Sequence, residues 1–231
     1  MPMRTTVVTG CDHGLGFELA RAAAARGDRV FALCLKPGQA GGLKADRRIT
    51  VVGANLALER SLVRACAAIR RRTRRVDGLF NVAGVYFRDG LDQVTYRNLA
   101  LMHAVNAFAP LVLVRHLRPL LRAARKARIV NVSSEAGALA GVSSRRPIIA
   151  YAMSKAALNM VTRKLVWELA EDGARVISVH PGWMQTPMGR SEGEPTQPPA
   201  ATARNLLRLA NRITPKMNGG FFDHDGTPRA W

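Results

Sequence analysis

Short apolar runs alternate with longer stretches of helical spacing along this chain, and that alternation limits the fold more than any other feature. The apolar runs are TTVVTG (5–10), RVFALCL (29–35), ITVVGANL (49–56), DGLFNVAG (77–84), ARIVNVSS (127–134) and ARVISVHPG (174–182). Between and after them stand FELARAAAARG, LERSLVRACAAIRRR, LALMHAVNAFAPLVLVRHL, AYAMSKAALNMVTRKLVWELA and ATARNLLRLANRI, with apolar positions at helical spacing. This order predicts parallel strands joined by helical crossovers, hence an α/β, doubly wound parallel β-sheet flanked by helices on both faces. The strands are rich in Val and Ile without polar alternation, which fits burial on both faces. No repeat and no linker divides the 231 residues, so a single domain is expected over 1–231.

In such a sheet, ligands bind outside the carboxyl ends of the strands. The segments that follow the strands (TGCDHGLG, CLKPG, ANLA, NVAG, VSSEAG and HPGWMQT) therefore belong to one rim, and Gly, Asn, Ser and Pro concentrate there. In TGCDHGLG, between first strand and first helix, Gly10 allows a tight turn, Gly14 leaves room for a pyrophosphate and Gly16 permits close helix packing. The free N–H groups of the next helix then face the anion. A glycine-rich turn without chemistry is the plain alternative; the strand-to-helix position favours a dinucleotide loop.

Tyr151 and Lys155 stand four apart on a predicted helix and share a face. A free phenol titrates near pH 10, and a neighbouring ammonium is expected to lower that value towards neutrality. Such pairs also occur by chance on helices. The context, after SSEAG and before HPG, makes this pair the candidate acid/base.

The spacing TGxxxGxG, with NVAG at 81–84, Ser133-Ser134 and Tyr151-Ala-Met-Ser-Lys155, resembles the short-chain dehydrogenase/reductase family over nearly the whole chain. Within it, YAMSKAALNM, HPGWMQTPMG and the ending NGGFFDHDGTPRAW are most similar to C-factor and sniffer-type carbonyl reductases. The resemblance implies a Rossmann-type domain and hydride transfer between a nicotinamide and a carbonyl or secondary-alcohol carbon. It implies Tyr151 as proton donor and Ser134 as the group that orients the reacting oxygen, with Ser133 a strand-end or supporting residue. Lys155 would tune the tyrosine and bind ribose hydroxyls. Asn106 would complete a proton relay, unless it is an ordinary helix-side amide. Ser134 and Tyr151 lie 17 positions apart, more than is common in the family. The intervening GALAGVSSRRPIIA is expected to widen or shield the pocket.

The cofactor is expected to touch Gly10, Asp12, His13, Gly14, Leu15 and Gly16, then Asn55 and Leu56 beside the adenine, and Asn81, Ala83 and Gly84 of NVAG. Pro181, Gly182, Met184 and Thr186 would hold the nicotinamide end, with Trp183 and Met184 as pocket walls or simple packing. The second strand ends in Leu35-Lys36, without the carboxylate that would bind a ribose 2′-hydroxyl. Lys36 and His13 can meet a 2′-phosphate, so NADP is expected, with Asp12 arguing mildly for NAD. Residues 183–220 are assigned to the substrate side, where GRSEGEPTQPPA (189–200) reads as a mobile covering loop. Arg145 and Arg146 are candidates for an acidic substrate, or a solvated pair.

Part of the formal charge of +19 lies in IRRRTRR (69–75) and RPLLRAARKAR (118–128), towards helix ends where cations suit the dipole. No nucleic-acid reader motif accompanies it, and no nucleic-acid partner is expected. No metal site is expected either. Three cysteines without a CxxC pair read as free thiols in a reducing compartment. No signal-peptide pattern and no apolar stretch of membrane-spanning length is read, so a cytoplasmic chain is expected, without membrane partners. The resemblance implies a homodimer or homotetramer acting on a small carbonyl or alcohol. Two alternatives stand: a non-catalytic NADP-sensing protein on the same fold, disfavoured by the intact Ser134, Tyr151, Lys155 and Asn106 set, and a sugar-type epimerase or dehydratase, disfavoured by the glycine spacing.

Overall fold

A computed structural model describes residues 3–140, 146–190 and 197–231. The strands are β1 (Thr5–Thr9), β2 (Arg29–Cys34), β3 (Ile49–Gly53), β4 (Gly78–Asn81), β5 (Arg128–Val132), β6 (Arg175–His180), β7 (Phe221–Asp223) and β8 (Pro228–Arg229). They form one sheet in the order β3-β2-β1-β4-β5-β6-β7-β8, parallel from β3 to β7, with β8 antiparallel at the edge. The helices are α1 (Gly14–Ala25), the short α2 (Gly41–Lys44), α3 (Glu59–Arg70), α4 (Tyr96–His103), α5 (Ala109–Ala123), α6 (Ile149–Glu168), the short α7 (Pro187–Arg190) and α8 (Pro199–Arg212).

Side chains alternate across the sheet with the period of two that a pleated strand imposes. Val8, Val30, Ala32, Val130, Ile177 and Val179 pack with Leu19 of α1 and Leu206 of α8 on one face. Val7, Phe31, Leu33, Leu79, Ile129 and Val176 pack with Leu62 of α3, Leu113 and Leu117 of α5 and Leu165 of α6 on the other. Both faces are buried, and this is why the strands read as unbroken apolar runs. The strand order reverses direction between β1 and β4, which opens a crevice at their carboxyl ends.

Two features differ from the sequence expectation. The β7–β8 hairpin extends the sheet beyond the six expected strands; its strands are three and two residues long, too short to carry a periodic signal. The second concerns membrane-spanning length. Residues Tyr96–Ala123 form one helical path of 28 residues with a window of mean hydropathy 1.3, long and apolar enough by composition to cross a bilayer. The expectation of no such stretch is corrected. The path packs its Leu113–Leu117–Leu121 stripe into the core against α3. Its middle, Ala104–Phe108, is a π-helical turn.

Candidate active site

The crevice is a cleft of about 330 Å³ running from the glycine loop to the start of α6. Gly10, Asp12, His13, Gly14, Leu15, Gly16, Asn55, Leu56, Ala83, Gly84, Tyr151, Lys155, Pro181, Met184 and Thr186 line it, as the sequence places them. The glycines are there because nothing larger fits. Gly10 has φ +71°, and a Cβ on it would come within 2.8 Å of the Ala83 Cα. A Cβ on Gly16 would come within 2.2 Å of the Gly10 carbonyl oxygen. Gly14, φ +62°, faces Thr186, whose Cγ2 would lie 3.2 Å from an added Cβ. Helix α1 begins at this loop with no acidic residue in its first turn and no side-chain cap from His13. Its positive end is thus left for an anion, and the cradle fits a pyrophosphate.

At the other end, the Lys155 ammonium lies above Gly84, whose added Cβ would sit 3.6 Å from Nζ and 3.5 Å from the Asn106 Oδ1. Lys155 is 3% exposed and donates from Nζ to the Val132 carbonyl at 2.9 Å. Ser134 stands close enough to the Tyr151 phenol to lower its pKa, its hydroxyl accepts from the Ala136 N–H at 3.1 Å, and the Lys155 Nζ is 5.6 Å from the Tyr151 ring centroid. Ser133, which also borders the cleft where Ser134 does not, is buried, and its hydroxyl donates to the Asn159 Oδ1 at 2.6 Å. Burial pushes the Tyr151 phenol up to about 12, against Ser134, which pulls it down. Burial pulls Lys155 down to about 8. The expected lowering of Tyr151 by Lys155 is therefore corrected: desolvation of the phenol dominates, and the opposing pulls come from Ser134 and the Arg146 guanidinium.

Other expected residues sit differently. Asn81 does not line the cleft: its Nδ2 donates to the Asn131 Oδ1 at 2.7 Å in a buried chain that continues through Thr162 to Ser178. Asn106, fully buried, holds the segment after β4, accepting from the Val85 N–H at 2.8 Å and donating to the Val85 carbonyl and the Ser154 hydroxyl at 2.9 Å. Asp12 turns its carboxylate to the backbone N–H groups of Leu35 and Lys36, at 3.0 and 2.6 Å, tying the glycine loop to the end of β2. Leu35, 58% exposed, takes the lining position there, while the Lys36 side chain stays outside the cleft. Gly182, φ +76°, is backed by the Gln197 amide rather than the cleft. The ends of the expected covering loop are tied by hydrogen bonds between Gln197 and both Gln185 and Trp183. Residues 191–196 and Arg145 lie outside the described residues. Arg146 pairs with Glu135 at 3.2 Å.

Sequence reasoning missed the apolar wall of Val82, Val85, Val105, Pro187 and Met188, and also Tyr86, whose ring meets Tyr151 edge-on at 5.0 Å. An aromatic residue two places beyond NVAG was the available signal for the latter.

The family model described as short chain dehydrogenase matches residues 4–197. A 1-hydroxy-2-glutathionyl-2-methyl-3-butene dehydrogenase of Rhodococcus sp. (strain AD45) is 30% identical over 231 residues, covering 99% of this chain and 100% of that protein. Among solved structures, the NADPH-bound carbonyl reductase from chicken fatty liver superposes with a TM-score of 0.93 at 26% identity, covering all of both chains. Carbonyl reductase Sniffer of D. melanogaster does so with 0.91 at 28% identity, over 99% of this chain and 100% of that one. Fold, glycine cradle, Ser-Tyr-Lys geometry and these matches agree that the chain belongs to the short-chain dehydrogenase/reductase family of oxidoreductases.

Proposed function

We propose that the chain is an NADP-dependent carbonyl reductase that converts a ketone or aldehyde to an alcohol, with Tyr151 as the proton donor. The observation that carries this reading is the Tyr151 phenol, near Ser134 and kept protonated by burial, beside the buried Lys155 in the cleft that begins at the glycine loop. The nicotinamide cofactor, when bound, supplies the hydride. Ser134 orients the carbonyl oxygen, and Tyr151 delivers the proton to it. Among the described residues Val132 is the one hydrogen-bond partner of the Lys155 Nζ, which leaves two donors for ribose hydroxyls. Residues 183–220 form the substrate side, where Trp183 and Met188 offer apolar surface around a small carbonyl. The exposed Phe108, Leu111 and Trp167 on the outer side of the helices favour a dimer or tetramer, which light scattering would test.

NADP is favoured by the missing carboxylate at the end of β2 and by the NADPH-bound neighbour. A second reading, alcohol oxidation with NAD, draws on Asp12 beside Leu35 and on the dehydrogenase name of the Rhodococcus relative. Consumption of NADPH and NADH in parallel over a carbonyl panel tests both. NADPH turnover with little from NADH supports the first reading; equal use of NADH removes the cofactor preference.

A further inference from the structure

Helix α6 carries Tyr151 in its first turn, yet it begins without a cap of its own. Ile148 stands at the N-cap and has no side-chain acceptor, and the first turn holds no acidic residue. The cap comes from Asp89, in the segment after β4. Its main-chain carbonyl accepts from the Ile149 N–H at 3.2 Å, and its carboxyl Oδ1 accepts from the Ala150 N–H at 3.3 Å, across 61 positions of sequence. Asp89 and Ile148 also form a parallel β-bridge. Asp89 is 1% exposed, and its Oδ2 is buried with no hydrogen-bond partner among the described residues. A carboxyl group shut away here, against the positive end of a 20-residue helix, is costly in any role that leaves the helix out.

The segment that carries Asp89 is fixed at both ends. Asn106 clamps Val85 through both its N–H and its carbonyl. Asp89 is held by α6. Between them Tyr86 rests edge-on against the Tyr151 ring at 79°. Pro147 closes the other side, within 3.3 Å of where a Gly90 Cβ would stand. The floor under Lys155 and the helix bearing Tyr151 are thus joined through five residues.

We propose that Asp89 is a positioning residue for Tyr151: by capping α6 from the segment after β4, it sets the first turn of that helix against the Gly84 floor. This rests on Tyr151 being the proton donor. Asp89 touches neither substrate nor cofactor, so its effect falls on the reaction step and spares cofactor binding.

The test uses the full chain with Asp89→Ala, Asp89→Asn and Tyr151→Phe, assayed with NADPH and with an aromatic aldehyde and a vicinal diketone as probes. Asp89→Ala should lower kcat by about tenfold to a hundredfold, as small misplacements of catalytic groups do, with the Kd for NADPH unchanged. Asp89→Asn keeps an oxygen acceptor for the Ala150 N–H and should restore most of kcat. A substrate-independent readout comes from [13C]tyrosine spectra, which are simple because the chain has three tyrosines. The Tyr151 ring signal, assigned by its loss in Tyr151→Phe, should move in Asp89→Ala and return in Asp89→Asn. If Asp89→Ala does not fold, Asp89→Ser, with a short acceptor, takes its place and should behave between the two. Wild-type kcat and an unmoved ring signal in Asp89→Ala, with Tyr151→Phe inactive, would overturn the positioning role alone. So would equal loss of kcat and NADPH binding that Asp89→Asn fails to rescue. Full activity in Tyr151→Phe would instead remove the proposed function and the positioning role with it.

Discussion

At the scale of single residues, the titration of two buried groups sets the pH dependence expected of the proposed reaction. Tyr151 is pushed up to about 12, so its proton stays on across the neutral range. Lys155 is pulled down to about 8, so its positive charge is lost as pH rises through that value. A proton donor that is always loaded suits reduction; a base that must first lose its proton does not suit oxidation at neutrality. We expect kcat/KM for carbonyl reduction to be flat near neutral pH and to fall above about 8 as Lys155 deprotonates. Alcohol oxidation should keep rising into the alkaline range as Tyr151 ionises. A reduction profile that rises from pH 7 to 9 would contradict this assignment. That these two residues share a helix face was legible in the sequence from their spacing of four, whereas the roles expected of them came from the neighbouring motifs and the family resemblance. Their pKa values were not legible, since desolvation depends on the closed inner end of the cleft. Asn81 was misplaced for a related reason. A short polar residue at a strand end serves a cleft or a buried cross-strand chain equally well, and only the neighbouring Asn131 and Thr162 settle it.

Leu35 belongs to the same scale. It lines the cleft where a 2′-phosphate group is expected, and it offers neither charge nor hydrogen bond. Leu35→Arg should raise the NADPH-over-NADH ratio of kcat/KM by about tenfold, the worth of one charge-assisted contact, and Leu35→Asp should lower it by a similar factor. Steady-state kinetics with both cofactors measures this; no change in either variant would move the 2′-recognition site elsewhere.

Between elements, a tight junction at the site is Gly137, in the 3₁₀ turn just after Ser134. A Cβ there would come within 2.5 Å of the Lys155 carbonyl carbon, which is backbone and has nowhere to retreat. Gly137→Ala should therefore push the Ser134 turn off α6. The expected cost is about 1–3 kcal/mol, seen as a fall of several degrees in Tm, together with reduced kcat. Thermal unfolding and turnover of the variant check it; an unchanged Tm would mean that the junction is looser than drawn. Long elements were legible, because their periodic patterns are strong. The π-turn at Ala104–Phe108 was not, since one extra residue in a helical turn leaves the apolar pattern readable as ordinary helix. It matters, because it lies where Asn106 reaches the segment after β4.

On the scale of the whole molecule, parallel β-α repetition sorts helix dipoles. The N-termini of α1 and α6 open on the cleft, while helix C-termini and strand starts gather at the opposite rim. Several of the arginines stand at that opposite rim. Arg29, Arg128 and Arg175 open strands β2, β5 and β6. Guanidinium groups there donate to late carbonyls of helices or their caps: Arg48 to Ala24 of α1, Arg72 to Ala68 of α3, Arg118 to Glu168 of α6 and Arg175 to Ile213 after α8. The arginines thus meet the negative ends of helices, while the positive end of α1 is left uncapped at the cleft and that of α6 is capped by Asp89. Runs such as IRRRTRR signalled the charge in the sequence; the placement of these arginines on one rim follows only from the strand order.

The measurement closest to the central claim is NADPH oxidation over a panel of aldehydes and ketones by the wild-type chain and by Tyr151→Phe, with NADPH affinity determined for both. The wild type should turn over carbonyls, and Tyr151→Phe should keep wild-type NADPH affinity while losing kcat by roughly 10²–10⁴-fold, the usual worth of a positioned general acid. Full turnover by Tyr151→Phe, or tight NADPH binding without turnover of any carbonyl by the wild type, would contradict it.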